Sequence, residues 1–241
     1  MADASTVRAE ARQAASGVWG APALLSRPGF AAPVGPSLAV DAAGDAVVAW
    51  SLSGVVQASF RDGASGTWAG TVDVGSGTDP RVTLDAAGDA VAVWADDGAV
   101  RSSTRPAATR TWSAPVDLGP GAEPAVAVDP AGDAAVVWIS AGAVQASFRA
   151  ASSGTWSAPV DLGPGSEPQV ALGRTGNAAA VWADGTLRAA LRPVASATWL
   201  PAVEVSAAGA SGGELATDGG GNALAGTGAE RRRSGTRTAG C

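Results

Sequence analysis

"VAVDPAGDAAVVW", residues 126–138, is written four times in this chain, and that repetition decides the fold. "LAVDAAGDAVVAW" stands at 38–50, "VTLDAAGDAVAVW" at 82–94, and a fainter copy, "VALGRTGNAAAVW", at 170–182. Each copy ends in tryptophan, so Trp50, Trp94, Trp138 and Trp182 lie 44 residues apart. A second series, Trp68, Trp112, Trp156 and Trp199, follows at intervals of 44, 44 and 43, and Trp19 precedes it by 49. The two series account for all nine tryptophans. A fixed period in the low forties marks a repeat architecture, in which one supersecondary unit is copied and stacked.

Within a period, four β-rich runs are bounded by Gly, Pro, Asp and Ser. In the third unit they predict strand A at 124–129, strand B at 133–138, strand C at 143–149 and strand D at 155–162. The turn between A and B has a local cause. Gly44, Gly88 and Gly132 stand where a short hairpin needs positive φ. Asp41, Asp85 and Asp129 are placed to accept hydrogen bonds from the turn backbone. Two carboxylates per loop are too few for a calcium site, so these pairs, Asp41 and Asp45 among them, read as structural and no metal is expected.

Four antiparallel strands in about 44 residues are the pattern of a β-propeller blade. The innermost strand should carry small side chains, and Ala39, Thr83, Ala127 and Ala171 fit that place. Strands B are apolar almost throughout, as expected where both faces of a blade pack on neighbours. Four full units run from 36 to 205. "STVRAEAR" (5–12) matches strand C and "SGVWGAPALLS" (16–26) matches strand D, which makes 5–26 a half-blade. "ELATDGGGNALAG" (214–226) matches strands A and B, so 213–227 is the other half-blade, with Thr227 in the place of the tryptophan. The expectation is an all-β, five-bladed propeller over 1–227. Its ring would close by pairing Val7–Arg12 with Asn222–Gly226, leaving no sheet edge open. Residues 228–241 carry four arginines and match no repeat; they read as a disordered basic tail. The decayed last pair and the unmatched tail also fit a piece of a larger propeller.

Composition narrows the function. The net charge of −6 argues against a nucleic-acid partner. No apolar run reaches the length of a membrane span, and no signal peptide is visible in this chain. The single cysteine, Cys241, excludes a disulfide framework. There is no His, no Tyr and no Lys, a bias that GC-rich coding explains. Without His there is no Ser–His or Cys–His pair and no His-based metal site, so neither a cofactor nor an enzyme is expected. Acids abound, but most fall at repeated positions, as structure would place them.

The repeats, from residue 5 to about 226, resemble those of bacterial β-propeller proteins, in particular the secreted multi-repeat proteins of actinobacteria. "SFRDGASGTW" (59–68) is also distantly similar to the Asp-box of sialidase-like propellers through Ser59, Asp62, Thr67 and Trp68. Its Ser-to-Trp spacing is two residues longer. The resemblance implies an extracellular or cell-surface protein. It carries no sialidase chemistry, because that family's nucleophile is a tyrosine.

One repeated set is less easily explained by folding. Asp79, Glu123 and Glu167 each precede a proline at the entry to an innermost strand, with Gly35 and Gly212 in the same place elsewhere. In a propeller these positions ring the mouth of the central channel, so the three are the candidate ligand-binding residues, suited to a cation or a basic ligand. A second set, Arg12, Arg61, Arg105, Arg149 and Arg192, closes each strand C and should pair with an acid or a blade edge. The leading functional reading is a non-catalytic ligand- or protein-binding scaffold, a monomer with an unidentified protein or glycan partner. The alternatives are a carbohydrate-binding propeller using exposed tryptophans, and a glycosidase relative that has lost its site.

Overall fold

The computed structural model describes residues 6–12, 17–26, 32–206, 210–218 and 223–229, and among these every regular element is a β-strand. The first full blade is β3 (Val34–Val40), β4 (Ala46–Leu52), β5 (Val55–Arg61) and β6 (Val72–Ser76). The second is β7 (Thr78–Leu84), β8 (Ala90–Asp96), β9 (Ala99–Arg105) and β10 (Val116–Pro120). The third is β11 (Ala122–Val128), β12 (Ala134–Ser140), β13 (Ala143–Arg149) and β14 (Val160–Pro164). The fourth is β15 (Ser166–Leu172), β16 (Ala178–Ala183), β17 (Leu187–Arg192) and β18 (Val203–Glu204). Each is a four-stranded antiparallel sheet in simple up-and-down order. Two further pairs flank them: β1 (Arg8–Ala9) with β2 (Ala23–Leu24), and β19 (Ala210–Thr217) with β20 (Ala223–Ala229).

The outermost strand differs from its expected range. In the third blade it starts at Val160 rather than near 155, and Trp156 makes only an isolated bridge to Arg149. Pro159 has no N–H to give a ladder, and Ser157 substitutes for one. Its N–H donates to the Phe148 carbonyl at 2.8 Å, and its hydroxyl accepts from the Phe148 N–H at 3.1 Å.

The core lies between blades. Trp50, Trp94, Trp138 and Trp182 are fully buried, each in a cluster shared with the preceding sheet. Trp94, for example, packs with Val47, Ala49 and Val56 of the first blade. Burying an indole removes roughly 200 Å² from water, about 5 kcal/mol as an upper bound. Its N–H is satisfied as well: Trp138 Nε1 donates to the Pro120 carbonyl at 3.0 Å and Trp182 Nε1 to that of Pro164 at 2.9 Å. At Trp94, Trp138 and Trp182 the chain crosses the ring at a glycine with positive φ, Gly77, Gly121 and Gly165 respectively, where a Cβ would collide with the indole and a backbone carbonyl.

The expected closure is not among the described pairings. β1 pairs with β2, and β20 with β19; Asn222 lies outside the described residues. Correspondingly, Leu38 and Val40 of β3 are 63% and 65% exposed, where the equivalent Val82 and Leu84 of β7 are 7% and 9%. β20 reaches Ala229, two residues past the expected limit, and 230–241 lie outside the described residues.

Candidate functional site

Asp79, Glu123 and Glu167 come together on one cavity of about 450 Å³, formed where the innermost strands β7, β11 and β15 begin. Ser37, Arg81 and Gln169 line it too. All three acids are exposed. They are not simple loop residues: each sits in a β-bulge, where pairing slips between Thr78 and Arg81, between Ala122 and Ala125, and between Ser166 and Gln169. The bulge lifts the following proline, which has no N–H, out of the ladder. The acids take the left-handed conformation this requires, with φ of 52°, 55° and 53°. That geometry costs a side-chain-bearing residue about 1–2 kcal/mol. Gly35 holds the equivalent place at φ 61°, and Gly212 falls in the matching slip of β19. Among the described residues no group of three His, Cys, Asp or Glu has metal-holding geometry.

The turn aspartates are committed to backbone. Asp85 Oδ1 accepts from the N–H groups of Ala87 and Asp89 at 2.8 and 2.9 Å, and Asp129 Oδ1 from Ala131 and Asp133 at 2.9 and 3.0 Å. Burial raises both carboxyls above the ordinary aspartate value, against the pull of those donors. The second aspartate of each pair makes a link the sequence does not advertise. Asp45, Asp89 and Asp133 each accept from the loop after strand C, at Gly63, Ala107 and Ala151 (2.6, 2.7 and 2.8 Å). Asn177 does the same with Val194 at 2.9 Å.

Of the two partners expected for the strand C arginines, an acid or the blade edge, no acid is ion-paired with them among the described residues. Arg61 donates to the Gly44 carbonyl at 2.9 Å, Arg12 to that of Gly17 at 3.0 Å and Arg149 to that of Gly154 at 3.2 Å. Arg192 lies over the Phe148 ring of the preceding blade, 3.4 Å from its centre, and Arg105 lies over Phe60.

The second tryptophan series divides. Trp68, Trp112, Trp156 and Trp199 pack partly buried against interblade clusters. Trp19 is 61% exposed beside a hollow of about 540 Å³ that Trp68 and Arg61 also line.

No family model matches this chain, and no curated protein matches it in sequence. Among solved structures it is similar to hydrazine synthase of Kuenenia stuttgartiensis, with a TM-score of 0.66 and 14% identity over 89% of this chain and 65% of that one. It is also similar to the Dos1 propeller, with a TM-score of 0.59 and 9% identity over 79% of this chain and 54% of that one. The chain therefore spans about two-thirds and about half the length of these two structures. At such identities the likeness speaks to the fold alone: a β-propeller arrangement of four-stranded blades.

Proposed function

We propose that this chain is a non-catalytic binding propeller, displayed outside the cell, whose carboxylate-lined mouth takes a basic side chain of a protein or peptide partner. In this reading the two half-blades count together as a fifth blade. The observation that supports it is the backbone at Asp79, Glu123 and Glu167. Gly35 serves the same bulge without steric cost, yet three blades hold an acid there at positive φ. Residues kept in costly conformations cluster at functional sites. The cavity is wide and its carboxylates do not converge on one point, which suits an extended cationic group better than a bare ion. Arg81 in the same wall balances part of the charge and gives the opening a polarity.

The test replaces Asp79, Glu123 and Glu167 together by glycine and titrates an arginine-rich peptide. Relief of the backbone should raise the melting temperature while peptide binding is lost. Unchanged peptide binding in this variant overturns the reading. A glycan-binding reading is favoured by one observation, the exposed Trp19 ring. Glycan-array binding that disappears in Trp19→Ala would select it.

A further inference from the structure

We propose that the groove in front of the first full blade is filled by the β19–β20 hairpin of a second copy, so that chains join head to tail. The groove has a volume of about 850 Å³ and is walled by β1 on one side and by Leu38, Val40 and Val48 on the other. The other blades show what is missing there. Val82 and Leu84, the equivalents of Leu38 and Val40, are buried in a cluster with Ala39, Val47 and Ala49, which come from strands A and B of the preceding blade. In every full blade strand C also pairs along its length with strand B, as β5 does with β4. β1 occupies the strand C position and has β2 beside it, but no strand B among the described pairings. The vacancy therefore has the shape of one strand A–strand B hairpin.

The far end of the chain carries that hairpin. β19 and β20 sit on the fourth blade as the next strands A and B would, with Thr217 Oγ1 donating to the Leu172 carbonyl at 3.3 Å. β20 pairs with β19 alone among the described strands. Beside it, Val205 is 47% exposed, whereas its equivalents Val74, Leu118 and Leu162 are covered by the next blade and only 7%, 5% and 9% exposed. Trp19 completes the match. Its counterparts Trp112, Trp156 and Trp199 pack against interblade clusters to which strands B, C and D of the preceding blade contribute. The two ends are thus the two halves of the interface already used between neighbouring blades.

A joint between unlike surfaces is heterologous, and its copies add in sequence. Among the described strands β1 does not pair with the chain's own β20, and the groove between β1 and β3 stands open, so the occupant proposed is the same hairpin of another copy. This departs from the monomer that internal closure implies.

Register places Ala9 of β1 opposite Gly226 of β20, as Ala58 stands opposite Ala49 in the first blade. Gly226 has open space where a Cβ would project. Full-length Ala9→Cys and Gly226→Cys chains, each also Cys241→Ser and one carrying a tag, are mixed and oxidised. The expected product is a disulfide-linked tagged–untagged dimer, with little self-linking of either chain. A chain carrying both substitutions should give a ladder of linked copies. An internally linked monomer from that double variant overturns the proposal in favour of self-closure. Absence of any cross-link from the mixture overturns it as well. Light scattering on the unsubstituted chain should show mass rising with concentration, and a constant monomer mass also counts against it.

Discussion

Arg105 of the second blade lies on the Phe60 ring of the first, its guanidinium carbon 3.9 Å from the ring centre. Burial lowers its pKa from the ordinary arginine value, and Asp45 and Asp89 work against that shift. A desolvated cation over a ring contributes about 1–2 kcal/mol. A double-mutant cycle with Arg105→Met and Phe60→Leu, read by denaturant unfolding, should give a coupling of about that size. Additive effects of the two changes would remove this contact from the list of interblade ties.

The two tryptophan series should respond differently to truncation. Trp138→Ala empties a fully buried site and should cost about 3–5 kcal/mol. Trp19→Ala, at an exposed ring, should leave the melting temperature of the dilute chain nearly unchanged. Equal losses in thermal melts would mean that Trp19 is covered in solution even without a partner copy.

Gly121→Ala should destabilise strongly, because the added methyl meets both the Trp138 ring and the Ile139 carbonyl at a φ of 144°. Gly142→Ala, also at positive φ but facing open space, should cost only the conformational penalty of about 1–2 kcal/mol. Comparing the two unfolding midpoints separates the clash from the conformational cost.

Asp85 and Asp129 set a pH dependence of a definite sign. Their folded pKa values are raised above the unfolded value near 3.8, so the folded chain binds more protons across that window. Their contribution to stability is fully present below the unfolded pKa and is lost as pH rises through the folded one. Asp129→Asn keeps an acceptor oxygen without the buried charge. Its melting temperature should fall less than that of the parent as pH is raised through this range.

Calcium should not change the melting temperature, because the Asp41 and Asp45 oxygens already accept backbone N–H groups. A rise of several degrees on adding calcium would contradict that assignment.

The tryptophan period made the blades legible because each copy faces the same interblade cluster. The A–B turn was legible for a similar reason: its aspartates bond to backbone a few residues away. Contacts that cross blades were not. Arg105 and Arg192 stack on Phe60 and Phe148, but the intervening unit has Thr104 there, so the period itself conceals the partner. The β-rich run around Trp156 predicts strand D from residue 155, yet Pro159 interrupts its ladder and the strand begins at Val160. The strained backbone at Glu123 and Glu167 left one trace in the sequence, the alignment of these acids with Gly35. Strand counting gave the number of half-blades but not whether the arc meets itself, since that depends on small rotations at every interface.

All described strand ladders stay inside single blades, and the second aspartate of each turn, or Asn177, fastens a blade's inner hairpin to its own outer loop. Each 44-residue module thus arrives with most of its polar wiring complete and presents chiefly apolar faces to its neighbours. Copying or excising one whole module would leave nearly every hydrogen bond intact and would alter only how far the arc extends. For such a gene, gain or loss of a whole module by unequal exchange reuses the same interblade interface, and the arc lengthens or shortens in whole steps.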